Sequence, residues 1–345
     1  MKIVVLAGGT STERDVSLIS GTGIYNALKS KGHQVVLIDV FLGYTGDKAD
    51  DIFNVERDWS EGIKSVGEIN PDVAEIKKLR ADGDKCLIGP NVLEICKQAD
   101  VVFMGLHGAN GEDGKLQAMF ELYGIPYTGT DYLTSAICMD KSLTKELLIA
   151  HGLPTPKGYS LCPGEGDIDM EYPYVIKVNT GGSSVGVYIV RNDEDKAAAL
   201  KDAAKYDNRV VVEQYIDGRE FTCGVIDGKA LPIVEIAPKD GFYDYRNKYQ
   251  AGKTREQCPA DLDEEKTREI QHTAEEVFKA LRLRAYARID FMMNRSGEIF
   301  CLEANTLPGM TPISLLPQEA AAVGMDYASL CEKLISVSMK NNSDC

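Results

Sequence analysis

Residues 288–314 read RIDFMMNRSGEIFCLEANTLPGMTPIS, and this stretch decides how the rest of the chain is understood. Its apolar pattern predicts two short strands, 287–293 and 298–304, joined by the turn formers Asn294, Arg295, Ser296 and Gly297. A hairpin symmetric about Ser296–Gly297 sets Asp290 directly opposite Glu303. Side chains opposed in this way share a face, with Cβ atoms ~5 Å apart, and like charges there repel. A divalent cation between the two carboxylates removes the conflict. Asn305, two residues beyond Glu303, points to the same face, and so does Arg288. Two carboxylates and an amide oxygen are hard ligands that leave coordination positions open, which suits Mg²⁺ shared with phosphate groups.

Length and composition bound the answer. A chain of 345 residues exceeds what one hydrophobic core serves, so two or three domains are expected. Its 44% hydrophobic and 26% charged content is that of a soluble globular protein. No apolar run approaches the ~20 residues that span a bilayer, and Met1 leads straight into the strand-like KIVVLAG without a signal segment. The expected location is cytoplasmic. Nine cysteines are scattered without a CxxC pair, which predicts reduced thiols and no zinc site. A formal net charge of −15 argues against nucleic-acid or anionic-membrane partners. An anionic nucleotide therefore needs a locally basic pocket, and individual lysines become informative.

The N-terminal stretch KIVVLA (2–7) predicts a strand running into Gly8–Gly9–Thr10–Ser11 and a helix over 15–31. The turn between them lies at the carboxyl end of the strand, where open α/β sheets bind ligands. Glu13 in that turn is either a helix-capping carboxylate or a partner for a substrate ammonium group. QVVLIDV (34–40) and ADVVFMGL (99–106) predict further strands, and residues 43–90 form a polar insert with a hairpin at 81–83. The second of those strands ends in the glycine-rich loop HGANGEDG (107–114), where His107 faces the same crevice as Glu13. A helix over 134–151 carries Lys141. YPYVIKV (172–178), NTGGSSVG (179–186) and VYIV (187–190) predict strand, glycine/serine flap and strand. The flap lacks the GK[ST] ending of a Walker loop, but its N–H groups with Ser183 and Ser184 suit phosphates, and Lys177 adds charge beside it. RVVVEQYI (209–216) is another strand. Residues 237–261 have no periodicity and contain Phe242, Tyr243, Tyr245, Lys248 and Tyr249, which reads as a lid. Helices over 263–282 and 326–339 complete the chain.

In this order the segments GGTSTERDVSLISG (8–21), LHGANGEDG (106–114), GGSSVGV (181–187), FYDYRNKY (242–249), RIDFMM and LEANTLPGMTPIS resemble the D-alanine–D-alanine ligases of the ATP-grasp superfamily, almost end to end. The resemblance implies three α/β domains: an N-terminal open parallel-sheet domain over 1–130, then a two-lobed ATP-grasp fold of a central lobe with the flap (131–214) and a C-terminal lobe with lid and metal site (215–345). It implies ATP-dependent joining of two D-alanines through an acyl phosphate, with release of ADP and phosphate, for peptidoglycan precursors. Mg²⁺, two ions or Mn²⁺ in their place, is implied on Asp290, Glu303 and Asn305. Lys141, Lys177, Ser183, Ser184 and Lys248 are implied around the nucleotide's phosphates, Glu213 and Glu220 at its adenine and ribose. Arg288 and the N–H of Gly309 correspond to the oxyanion site. Glu13 and His107 correspond to positions beside the first D-alanine, and Ser314, Leu315 and Lys248 to positions beside the second. Glu13, Ser183 and Tyr249 correspond to a triad tying lid to flap. A homodimer is implied. The chain departs from the family pattern at Val178–Gly181 and at Gln214. The alternative product, with D-serine or D-lactate as second substrate, is disfavoured by Tyr249 and Leu315.

Overall fold

The computed structural model describes residues 1–63, 71–80, 86–164, 166–182, 185–238 and 254–342. Ser183, Ser184, Lys248, Tyr249, the aromatic residues of the expected lid and the expected hairpin at 81–83 lie outside the described residues.

Among the described residues, three sheets organise the chain. The first contains β1 (Lys2–Ala7), β2 (Gln34–Asp39) and β3 (Val101–Met104), in the order β2-β1-β3 and all parallel. Both of its faces are covered, so its strands are continuous apolar runs, as a buried parallel sheet requires. The helix Arg14–Ser30 packs on it closely at Gly21, where a Cβ would stand 2.6 Å from that of Ala7. That approach holds the β1 turn, and Glu13 with it, against the sheet.

The second sheet is antiparallel, with β4 (Gly158–Leu161), β5 (Tyr174–Val178), β6 (Val187–Val190) and β7 (Val210–Gln214) in the order β4-β7-β5-β6. Helix Asp193–Ala203 covers one face and buries Ala199 and Ala203 against Ile176, Val190 and Val212. The third sheet joins β8 (Gly218–Ile226), β9 (Lys229–Ala230), β10 (Val234–Pro238), β11 (Thr254–Gln257), β12 (Tyr286–Asn294) and β13 (Ile299–Asn305). Its order is β11-β10-β8-β12-β13, with β9 paired to β8. Helix Glu264–Ala280 lays Ile270, Ala274, Val277 and Phe278 on it. Its N-terminus is fixed by Asp263, whose side chain accepts from the Lys266 N–H at 2.7 Å.

The cores draw on segments distant in the chain. Cys138 and Leu148, from helices Tyr132–Met139 and Lys141–Ala150, are buried with the third sheet. Leu330, Leu334 and Ile335 of the C-terminal helix Tyr327–Asn342 are buried with the first. The chain end thus clamps the N-terminal sheet to the large one.

The helix expected over 134–151 is broken. Asp140 adopts an extended conformation (φ −88°, ψ 103°) and ends the first helix. It caps the second, accepting from the Leu143 N–H at 2.9 Å and the Ser142 hydroxyl at 2.8 Å. Apolar periodicity runs through the break, which is why the sequence reads as one helix; the Asp-Lys-Ser start is an N-cap signal. Among the described residues no helix is long and apolar enough to cross a membrane, and every described cysteine is a free thiol.

Candidate active site between the sheets

Asp290 and Glu303 are partners across the β12–β13 hairpin, as expected, but the hairpin is not symmetric. Near the turn Met293 pairs Ile299 and Phe291 pairs Cys301, one residue out of step with the Asp290–Glu303 pair. The difference is taken up by a bulge at Leu302. Cys301 and Ala304 are buried, whereas Leu302 and Glu303, adjacent in sequence, are both half-buried. One strand thereby offers an apolar and an acidic side chain to the same cleft.

The expected repulsion between the two carboxylates is also corrected. Asp290 Oδ1 accepts from Arg288 Nε at 2.9 Å and Thr222 Oγ1 at 2.6 Å; Oδ2 accepts from Arg288 Nη2 at 2.8 Å and Asn305 Nδ2 at 2.9 Å. Glu303 has Lys141 Nζ at 3.7 Å. The pair is already compensated by cations and amides. Among the described residues no three His, Cys, Asp or Glu side chains cluster to hold a metal. The donor set here is two carboxylates and an amide, and because Asn305 turns its nitrogen to Asp290, its carbonyl oxygen remains as the acceptor. These residues fit a hard, oxygen-preferring cation.

The break at Asp140 starts a new helix at Lys141 and directs that side chain across to the root of the flap, where Nζ donates to the Gly181 carbonyl at 2.6 Å. The residues that depart from the family pattern make this root. Asn179 accepts from the Ser142 N–H at 3.0 Å, and Thr180 donates its N–H and hydroxyl to Asp207. Lys141, Lys177, Gly182, Glu220, Asp290 and Glu303 border a single cavity.

A cleft of about 690 Å³ opens from it between the two antiparallel sheets, lined by Val175, Ile189, Tyr215, Ile216, Met292 and Leu302, with Lys177, Glu213 and Glu220 on its polar side. Apolar walls with a few charged groups suit a planar base carrying a sugar. Glu213 is buried and bonded to two lysines, to Lys177 and, at 3.0 Å, to Lys145. Burial alone would raise its carboxyl, but the two ammonium groups outweigh that and hold it below the ordinary range. Burial pulls the Lys145 ammonium down, only partly offset by Glu213, whereas Lys177, also desolvated, is held above its usual value by Glu213. Lys145 also donates to Thr155 Oγ1 at 2.9 Å and to the Pro156 carbonyl at 2.7 Å. Sequence reasoning missed it, because nothing local distinguishes it from a surface lysine.

On the other side of Arg288 lies a cavity bordered by Glu13, His107, Arg288, Asn305, Gly309, Ser314 and Leu315, with Glu112 and Glu256. Glu13 sits at the N-terminus of its helix without capping it. A Cβ on Gly182 would stand 2.7 Å from its Oε2, so only glycine brings the flap this close. The turn beneath Glu13 is held by Arg14, which donates to the Gly9 carbonyl at 2.7 Å and pairs with Asp39.

His107 borders the cavity, but both of its ring nitrogens are engaged. Nδ1 faces the Leu307 carbonyl at 3.0 Å and must donate to it; Nε2, 2.9 Å from Ser20 Oγ, accepts. Burial lowers its pKa, which keeps the ring neutral in this arrangement. Its role is to stitch β3 and the first helix to the 307–310 loop. Glu112, quoted only as part of its loop, is a second stitch: the N–H groups of Gly108 (2.6 Å) and Leu307 (3.2 Å) donate to its two oxygens. Burial, with Glu13 nearby, pushes its carboxyl up to about 8. Ser314 Oγ accepts from the Thr311 N–H at 3.0 Å, and a Cβ on Gly309 would crowd it at 2.8 Å. The structure brings every described site residue to one of these three adjoining cavities.

Residues 2–130 match the family model described as D-ala D-ala ligase N-terminus and residues 165–336 that of the D-ala D-ala ligase C-terminus. A D-alanine–D-alanine ligase of Pediococcus pentosaceus is 44% identical over 345 residues, 97% of each chain. The crystal structure of the D-alanine–D-alanine ligase from Bacillus anthracis superposes with a TM-score of 0.78 at 33% identity, covering 100% of this chain and 99% of that one. That of the VanG D-Ala:D-Ser ligase from Enterococcus faecalis gives 0.74 at 32% identity, covering 98% and 99%. The α/β domains have the architecture of an ATP-grasp enzyme, and the chain is an ATP-dependent ligase. It belongs to the D-alanine–D-alanine ligase family.

Proposed function

We propose that this enzyme joins two D-alanines to D-alanyl-D-alanine through an acyl phosphate, splitting ATP to ADP and phosphate, as a step toward peptidoglycan precursors. One observation carries the reading. Arg288 borders the amino-acid cavity, and Asp290, bonded to it through both carboxylate oxygens, borders the phosphate cavity. Gly182 of the flap borders both. A carboxylate placed beside Arg288 thus adjoins the position for a transferable phosphoryl group, which is what carboxylate activation requires.

In this reading Lys141 and Lys177, with Lys248, Ser183 and Ser184, neutralise the nucleotide's phosphates, and Glu213 and Glu220 contact its adenine and ribose. Asp290, Glu303 and Asn305 would hold Mg²⁺, one ion or two, or Mn²⁺, which supplies charge neutralisation to the triphosphate. The first D-alanine places its ammonium at Glu13 and its carboxylate toward Arg288. Once that carboxylate carries a phosphate, an oxygen that was a poor leaving group leaves readily. The second D-alanine, its carboxylate at Ser314 with Lys248 and its methyl at Leu315, attacks through nitrogen. Arg288 and the Gly309 N–H face the oxygen that gains charge. Glu13, Ser183 and Tyr249 tie the lid to the flap and exclude water. The chain divisions at 130 and 214, and a homodimer, belong to the same proposal.

Product analysis tests it. ATP with D-alanine alone should give D-alanyl-D-alanine with stoichiometric phosphate. A product formed only when D-serine or D-lactate is added would assign the chain to a depsipeptide- or serine-using branch instead.

A further inference from the structure

A cavity that receives two amino acids must match two ammonium groups and two carboxylates. The inference that follows rests on the dipeptide-forming reading. Besides Asp290, which Arg288 already balances, three carboxyl side chains border or adjoin the cavity as candidates: Glu13, Glu112 and Glu256. Glu13 stands on the N-terminal sheet's turn, beside the flap. Glu112 spends its two oxygens on the backbone N–H groups of Gly108 and Leu307, and burial raises its pKa to about 8. It is a structural acid at neutral pH. Glu256 is different. It lies on β11, paired with β10 (Ile236 opposite Glu256), and so reaches the cavity from the third sheet, whereas Glu13 reaches it from the turn of the first.

Ser314 and Leu315, assigned to the second amino acid, border the same cavity, as does Ile313. The carboxylate is anchored rather than waving. Gln318 Nε2 donates to Oε2 at 2.5 Å and also to the Ile313 carbonyl at 2.9 Å. Gln318 belongs to helix Leu315–Ala322, which Ser314 precedes, so the anchor ties Glu256 to the element carrying the second subsite. We infer that Glu256 is the anionic partner of the second amino acid's ammonium group, and that it sets the preference for an amine over a hydroxyl nucleophile.

The physics is a difference in charge. A carboxylate meets an ammonium group with charge on both partners, whereas toward a hydroxyl only the acceptor is charged, so the ammonium contact gains a full ion-pair attraction that the hydroxyl contact lacks. The ammonium first gives a proton to solvent; the nitrogen then regains positive charge as its lone pair joins the acyl carbon and phosphate departs, so the advantage persists toward the transition state. D-alanine and D-lactate are otherwise nearly isosteric, and an apolar pocket separates such pairs weakly.

The test is competition between D-alanine and D-lactate at equal concentration, with ATP and saturating first-site D-alanine, for the wild type, Glu256→Gln, Glu256→Asp and Gln318→Met. Glu256→Gln should raise the Michaelis constant for the second D-alanine. It should also lower the ratio of dipeptide to depsipeptide by roughly tenfold or more, as loss of a charged contact implies. The first-site constant should stay put. Glu256→Asp keeps the charge and should keep most of the ratio. Gln318→Met releases the anchor and should shift the ratio in the direction of Glu256→Gln by a smaller factor, which keeps the inference testable if Glu256→Gln does not fold. An unchanged ratio in Glu256→Gln, or in Gln318→Met if only that variant folds, overturns the inference. So does an equal fall in Gln and Asp variants, which would make shape rather than charge the cause. Failure of the underlying reading looks different: the wild type itself would make no dipeptide.

Discussion

Lys145 Nζ lies 3.0 Å from Glu213 Oε2, while Lys177 holds the other oxygen of the same carboxylate. A buried carboxylate between two ammonium groups carries one cation in excess. Lys145 is fixed by Thr155 and Pro156 as well, so it is the permanent partner. Lys177, which borders both the nucleotide cleft and the phosphate cavity, is the partner with another task.

Lys145→Met should therefore make Lys177 the sole counterion of Glu213 and draw it away from phosphate. The expected result is a raised Michaelis constant for ATP with little change in that for D-alanine. Stability should fall by less than the ~3–5 kcal/mol that an orphaned buried charge costs, because Lys177 remains. Steady-state kinetics and urea unfolding measure both; an unaltered ATP constant contradicts the division of labour.

Glu303→Gln should leave a folded protein, since Glu303 is half-buried and its cation, Lys141, stands 3.7 Å away. A change within about 1 kcal/mol is expected for so loose a pair. Turnover at ordinary Mg²⁺ should collapse, and chelation of divalent cations should do the same to the wild type. Full activity of the variant would remove Glu303 from the metal set.

Two buried acids make stability fall with rising pH. Glu319 is fully buried, its Oε1 accepting from the Gly224 N–H at 3.0 Å, and burial raises its carboxyl to about 8. Glu112 is raised to about 8 as well. The native state holds protons that the unfolded chain releases above its ordinary carboxyl pKa near 4.5. Stability is thus fully present below that value and is lost as pH climbs toward 8, at up to about 1.4 kcal/mol per pH unit and group. Glu319→Gln should flatten this slope, so that the variant gains on the wild type between pH 5.5 and 8 in urea midpoints. Parallel curves would contradict it.

His107 gives the opposite slope on the acid side. Burial lowers its pKa below 6.5, so the unfolded chain takes up a proton first and stability is lost as pH falls through that region. His107→Gln keeps a donor and an acceptor and should remove this loss, at a cost of about 1–2 kcal/mol near pH 7.5 for the altered geometry of two bonds. Unfolding followed from pH 7.5 to 5 checks it.

Much of this was readable in the sequence, for physical reasons that also mark where reading stopped. Alternation made the 286–305 hairpin visible, and its ends put Asp290 opposite Glu303. The bulge at Leu302 was not visible, because Cys301-Leu302-Glu303 alternates acceptably in either register. Asp140 was hidden inside continuous apolar periodicity. Lys145, Glu112 and Glu256 owe their importance to elements packed from elsewhere in the chain: β7, the 307 loop and helix Leu315–Ala322. Local pattern carries no information about such partners. The return of helix Tyr327–Asn342 to the first sheet was equally illegible, although the helix itself was plain.

The central claim is that the ligand carboxylate beside Arg288 is phosphorylated before the peptide bond forms. D-alanine labelled with ¹⁸O in both carboxylate oxygens, incubated with ATP and Mg²⁺, tests this most directly. The account predicts that the released phosphate carries one ¹⁸O for each dipeptide made, because the oxygen that attacks the γ-phosphoryl group departs with it. Dipeptide accompanied by unlabelled phosphate would contradict the account, since the phosphoryl group would then have gone to water and never to the carboxylate.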